Sequence, residues 1–219
     1  MKTLLLIISV AVVTSTSFGQ DTLDKIVSSD ICNCISQTKN FTEENFLICF
    51  EKAMEENSDL ILKECKALYN DTSYQTGYKF GQEVYGRISV SMIYRCKPYY
   101  NFMDTLRYSA LQGLNKDSVS ASIIDMNKKD TKSWDKDFFT QRGVMYFQMS
   151  DLENALQDFN NAIKLDQYAL QSIYFKAWTL ELKKNYDEAF LLYSTLATLT
   201  KKNDFNIFAA IVKQKKNGL

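Results

Sequence analysis

Residues 143–159 read GVMYFQMSDLENALQDF and residues 177–193 read AWTLELKKNYDEAFLLY. At an offset of 34, Gly143 falls on Ala177, Asp151 on Asn185, Leu152 on Tyr186, Ala155 on Ala189 and Phe159 on Tyr193. Each stretch carries apolar residues at helical spacing on either side of a short polar turn, the pattern of two antiparallel helices. A small residue at 143 or 177 lets the first helix approach the second, and Tyr146 or Leu180 fills the space between them. Ala155 or Ala189 sits where the helices cross, and Phe159 or Tyr193 plugs the gap toward the next pair. One such hairpin cannot bury its apolar side alone, so stacking is required. The chain is therefore read as all-α, ending in a short hairpin solenoid.

The period and its small and aromatic positions resemble the tetratricopeptide repeat. The resemblance places one repeat at about 136–169, a second at about 170–203 and a closing helix at 204–216, within a C-terminal domain of 131–219. Gln167 stands where the family usually has proline, and Leu196 replaces a small alanine. In that family the first helix of each pair lines a groove. Carried over residue by residue, the resemblance implies a partner-binding surface of Thr140, Val144, Phe147, Tyr174, Trp178, Glu181 and Phe208, with Asp137, Gln148, Gln171 and Phe205 at its margins. The surface lacks the lysine and asparagine set that clamps a terminal carboxylate in one branch of the family. It is aromatic and mildly acidic, which suits a peptide or protein partner with apolar anchors. The other reading of Trp178, Phe205 and Phe208 is plain core, covered by helices from earlier in the chain.

The 219 residues are 46 % hydrophobic, 24 % charged and balanced at 26 basic and 26 acidic side chains. This is the composition of an ordinary globular protein, and zero net charge offers no field to draw nucleic acid. With no histidine present, serine–histidine and cysteine–histidine nucleophile pairs, imidazole bases and histidine-bearing zinc sites are all excluded. Seven glycines and one proline give little turn punctuation, in keeping with helices.

Lys2, the apolar run Leu4 to Val13 and the small-x-small site Ser17-Phe18-Gly19 read as a secretory signal peptide over residues 1–19. The apolar run is about ten residues, half the roughly twenty that a membrane span needs. Export favours disulfides among Cys32, Cys34, Cys49, Cys65 and Cys96. Cys32 and Cys34 project about 200° apart on a helix and do not suit each other as partners. We expect Cys32 or Cys34 to bond Cys49 or Cys96, leaving Cys65 unpaired. No metal or cofactor is expected, since the cysteine spacing is wrong for structural zinc.

The N-terminal domain, 20–130, reads as successive helices. Leu23, Ile26, Val27, Ile31, Cys34 and Ile35 form one stripe. Thr42 caps a second helix burying Phe46, Cys49, Phe50, Ala53 and Met54, and Ser58 caps a third with Ile61, Leu62, Cys65, Leu68 and Tyr69 inward. A fourth runs from about Tyr74 to Arg95, and its Gly77 and Gly81 call for a closely packed backbone. Pro98 begins a fifth with Phe102, Met103, Leu106, Ala110 and Leu111 inward. A short sixth helix spans Ser118 to Lys128, before a charged linker. Cys32-x-Cys34, Cys49, Gly77-x-x-x-Gly81 and Cys96-Lys97-Pro98-Tyr99 resemble a cysteine-bearing helical module of exported Bacteroidota-type proteins, over roughly residues 21–110. That resemblance implies export and helices, and no activity.

No phosphate loop, nucleophile elbow or metalloprotease signature is present. The leading expectation is an extracytoplasmic, non-catalytic interaction or scaffold module. The alternatives are thiol–disulfide redox chemistry at Cys32 and Cys34, or an enzyme using carboxylates.

Overall fold

The computed structural model describes residues 17–38, 41–71, 73–109, 115–130, 132 and 134–218. Residues 1–16 of the expected signal segment lie outside them. Among the described residues every regular element is a helix: α1 Ser17–Ser36, α2 Glu43–Glu56, α3 Ser58–Tyr69, α4 Tyr74–Arg95, α5 Lys97–Ser109, α6 Lys116–Asn127, α7 Lys136–Gln148, α8 Leu152–Leu165, α9 Leu170–Leu182, α10 Tyr186–Thr200 and α11 Asp204–Lys216. None is long and apolar enough to cross a membrane.

The chain divides into two compact units, one of residues up to 38 with 42–88, the other of 39–41 with 89–219. The second unit thus begins inside α4, and α5 and α6 are grouped with the C-terminal hairpins.

In the first unit Leu23, Val27, Ile31 and Ile35 of α1 are buried together with Phe46, Cys49 and Ala53 of α2, Cys65 of α3, and Phe80, Val84 and Ile88 of α4. Thr42 caps α2 as its sequence position requires, its hydroxyl accepting from the Asn45 amide at 3.1 Å. Ser58 does not cap α3. Asn57 occupies the cap and turns its side chain to Asp30 and the Ala53 carbonyl, at 2.9 Å each. Of the expected inward face of α3 only Cys65 is fully buried, and Leu62 and Leu68 face solvent. Ile26 is likewise exposed. Arg87 joins α4 to α1 and α3, with Nε 3.1 Å from both Asp24 oxygens and Nη2 2.7 Å from Glu64. Burial raises the Glu64 carboxyl above the usual range, partly offset by Arg87. The close backbone expected at Gly77 and Gly81 is not there: a Cβ at either would meet nothing within 4 Å.

Cys34 is bonded to Cys49, tying α1 to α2. Cys32 and Cys96 are disulfide-bonded as well, while Cys65 is a free, buried thiol. Burial, then Asp71 and Glu83, push that thiol's pKa up, which makes it a poor nucleophile. Paired cysteines are compatible with an oxidising compartment outside the cytoplasm.

In the second unit α7 packs on α8, α8 on α9, α9 on α10 and α10 on α11. Gly143 is where the first crossing is tightest. A Cβ there would lie 2.7 and 2.9 Å from Phe159 ring atoms and 3.2 Å from the Asp158 Cβ. Of the matched positions of the two hairpins, Ala155, Phe159, Ala177, Ala189 and Tyr193 are fully buried, and Leu152 and Tyr186 half-buried. The turns match too. Ser150 and Lys184, 34 residues apart, both adopt left-handed backbone at φ 63° and 62°. In each turn the next amide reaches back to a helix carbonyl: Asp151 N to Tyr146 O at 2.9 Å, and Asn185 N to Leu180 O at 2.8 Å. Such bonds satisfy carbonyls that the end of a helix leaves open. The sequence period is therefore also a period of backbone geometry.

Candidate functional site

The face shared by α7, α9 and α11 holds the residues singled out by the repeat pattern. Thr140 of α7 and Ser172 of α9 share a buried hydroxyl–hydroxyl hydrogen bond of 2.7 Å. About two turns on, the rings take over. Phe147 and Trp178 lie 4.9 Å apart between centroids, Tyr174 and Trp178 5.9 Å, and Tyr174 is 6.0 Å from both Phe205 and Phe208. Thr140, Phe147, Trp178 and Glu181 are buried, whereas Val144, Tyr174 and Phe208 are half-buried against the same cluster. Of the marginal positions, Asp137 and Gln171 are exposed, and Gln148 and Phe205 half-exposed.

This face does not stand open over Trp178, because α5 covers it. Tyr108 meets the indole edge-on at 5.9 Å, and the Arg107 guanidinium lies 5.9 Å from that ring and 4.9 Å from Phe208. The inward face expected of α5 is wrong at this point. Arg107 is buried and Leu106 is half exposed. The reason lies on α9, where Glu181 is only 3 % exposed and needs a cation. Arg107 meets it in a two-pronged pair, Nη1 to Oε2 at 2.9 Å and Nη2 to Oε1 at 2.8 Å. This fork-on-carboxylate arrangement is the strongest ordinary form of the contact.

The pair belongs to a larger cluster. Lys215 of α11 donates to Glu181 at 2.9 Å, to the Tyr108 hydroxyl at 3.1 Å and pairs with Asp104 at 2.7 Å. Asp104 also takes Arg107 Nη2 at 3.1 Å, and the Tyr193 hydroxyl donates to Glu181 at 3.2 Å. Two cations and two carboxylates thus cancel. Burial works against the Arg107 guanidinium, but Glu181 outweighs it and holds the cation more firmly protonated than usual. Burial likewise opposes the Lys215 ammonium, and Glu181 and Asp104 reverse that and raise its pKa. Burial first, and then the Glu181 charge, lift the Tyr193 phenol well above its ordinary value. Both Glu181 oxygens are taken up by donors, so the carboxylate's role here is to receive cations. Two buried donors, Arg107 Nε and Trp178 Nε1, have no hydrogen-bond partner among the described residues.

Sequence reading reached the aromatic half of this site and Glu181, and missed Asp104, Arg107, Tyr108, Tyr193 as a hydroxyl, and Lys215. One signal was available. Glu181 lies in the buried last turns of α9, among Ala177, Trp178 and Leu180, and a carboxylate there requires a cation from elsewhere.

Cys34 is bonded to Cys49 rather than to Cys32. A polar cleft of about 200 Å³ beside that disulfide is lined by Asp30, Asn33, Gln37, Lys52 and Glu56. No group of three or more cysteine and carboxylate side chains among the described residues is placed to hold a metal ion. No family model, curated protein or solved structure matches the chain.

Proposed function

We propose that the protein is an exported, non-catalytic interaction module in which a pair of tetratricopeptide-like hairpins and a closing helix bind a peptide or protein segment on the face of α7, α9 and α11. The signal-like N-terminus and the paired cysteines support action outside the cytoplasm. The matched left-handed turns at Ser150 and Lys184 support the repeat reading. One observation carries the binding role. The face already holds a helix, and does so with a cation on Glu181 and rings on Trp178, the chemistry by which helical segments are recognised in grooves.

The reading is tested by cross-linking the tagged full chain in its native cell envelope. The N-terminus of the recovered protein should start near Gln20. A specific partner should be captured, and its recovery should fall for Val144→Glu on the inner face but not for Leu191→Glu on the exposed side of α10. Recovery that ignores Val144→Glu and is lost with Leu191→Glu would reject the site.

A further inference from the structure

We infer that α5 is a displaceable occupant of the inner face, and that the partner is a helix presenting an arginine followed by an aromatic residue to Glu181 and Trp178 in place of Arg107 and Tyr108. This rests on the interaction-module reading above and names the partner's chemistry.

The grip of α5 is of an exchangeable kind. Its fully buried residues are Tyr99 and Arg107, while Leu106 on the same turn faces solvent. Among the described residues, the last turn of the helix is therefore held by one charged head, Arg107, and one ring, Tyr108, not by an apolar stripe. It reaches α9 and α11 through long side chains, Arg107 to Glu181 and Tyr108 to Lys215. Elements with so little apolar burial open at lower free energy than the core they cover.

The face is also built to survive the loss of Arg107. Lys215 from α11 and the Tyr193 hydroxyl from α10 contact Glu181 independently of α5. When Arg107 leaves, the carboxylate keeps a cation at 2.9 Å, so the step avoids the large cost of an unpaired buried charge. The departing guanidinium still has Asp104 three residues back on its own helix, at 3.1 Å. Both halves of the broken contact thus remain compensated.

Finally, α5 fits the face incompletely. Trp178 is 4 % exposed, yet among the described residues its Nε1–H has no acceptor, and neither does Arg107 Nε. A partner helix that brings the same arginine–aromatic pair together with a carboxylate or amide oxygen near the indole would satisfy donors that α5 leaves bare. Its advantage over α5 is then chemical, and the closed latch sets the affinity it must exceed.

The test uses the full chain and a fluorescent peptide of residues 97–109, KPYYNFMDTLRYS. The peptide is titrated into wild-type protein, Arg107→Ala and Arg107→Lys, with anisotropy as readout and far-UV circular dichroism confirming each fold. A competent state hidden behind a latch lowers apparent affinity by its population, so Arg107→Ala should bind the peptide at least about tenfold more tightly than wild type. The Arg107→Lys chain should fall between them, and it serves alone if Arg107→Ala does not fold. A peptide with Ala in place of its arginine should bind neither variant appreciably. Equal peptide affinity for the wild-type and variant chains, or no binding to a folded variant, would overturn the latch. If the envelope partner is still lost with Val144→Glu, that failure leaves the interaction module standing and removes only α5 as its occupant.

Discussion

Replacing Trp178 separates a buried anchor from an open one. The indole is 4 % exposed and is walled by Phe147 at 4.9 Å, Tyr108 and Tyr174 at 5.9 Å and Phe175 at 6.2 Å. Truncating a buried tryptophan to alanine costs about 3–5 kcal/mol, from lost transfer energy and the cavity left behind. Here one contribution runs the other way. The Nε1–H, with no acceptor among the described residues, pays a desolvation penalty of about 1–3 kcal/mol that alanine does not incur. The net loss for Trp178→Ala should therefore lie near the lower end, about 3 kcal/mol. At roughly 2–4 °C per kcal/mol for a chain of this size, the melting temperature should fall by roughly 6–12 °C. Trp178→Phe supplies the control. It keeps a ring against Phe147 and Tyr108 and removes the bare donor, so its cost should stay within about 1 kcal/mol. Thermal melts followed by near-UV circular dichroism read both. A Trp178→Ala melt within about 2 °C of wild type would refute the burial argument. So would a Trp178→Phe protein less stable than Trp178→Ala, since both lack the indole N–H and a ring at this position would then contribute nothing.

Gly143→Ala should destabilise by about 1–2 kcal/mol in urea unfolding, because overpacking against the buried Phe159 ring outweighs the gain in helix propensity; a more stable variant would mean that Phe159 yields. Lys184→Gly relieves a left-handed backbone position at φ 62° and should raise stability by up to about 1 kcal/mol in the same assay. Stability should fall as pH rises past about 10. Both Tyr193 and Lys215 have folded pKa values above their unfolded ones, so what they contribute is complete below that point and lost above it. A Tyr193→Phe chain should show a shallower alkaline decline in a pH series of melts, and an unchanged slope would exclude the phenol as a cause.

What the sequence made legible was local or periodic. The helix Tyr74–Arg95, the Thr42 cap and the closing helix at 204–216 follow from spacing and from single-residue chemistry that acts within a turn. Gly143 was readable because its need is set by a neighbour sixteen residues on, inside one hairpin that the period itself defines. Where the reading failed, two local signals competed. Asn57 and Ser58 are both acceptable caps, and the choice went to Asn57, which also has Asp30 to bond. Gly77 and Gly81 imply a close neighbour by cost alone, yet no described atom lies where their Cβ atoms would be.

The site shows a different limit. An amphipathic reading of α5 turns Leu106 inward because leucine is apolar, and turns Arg107 outward because arginine is charged. The structure reverses them, and the cause is a carboxylate 74 residues away. No window along α5 contains that information. It is contained in the mismatch between two helices: a glutamate in the apolar run of α9, and an arginine beside an aromatic at the end of α5, each awkward by itself and paired with the other. Charge compensation is a long-range constraint, since a buried carboxylate must find its cation wherever the fold can bring one. Lys215, at the far end of the chain, answers the same demand from α11. Two cations converging on one buried acid give the inner face its chemical character. The aromatic positions form the floor, but Glu181 decides what kind of helix can lie on it.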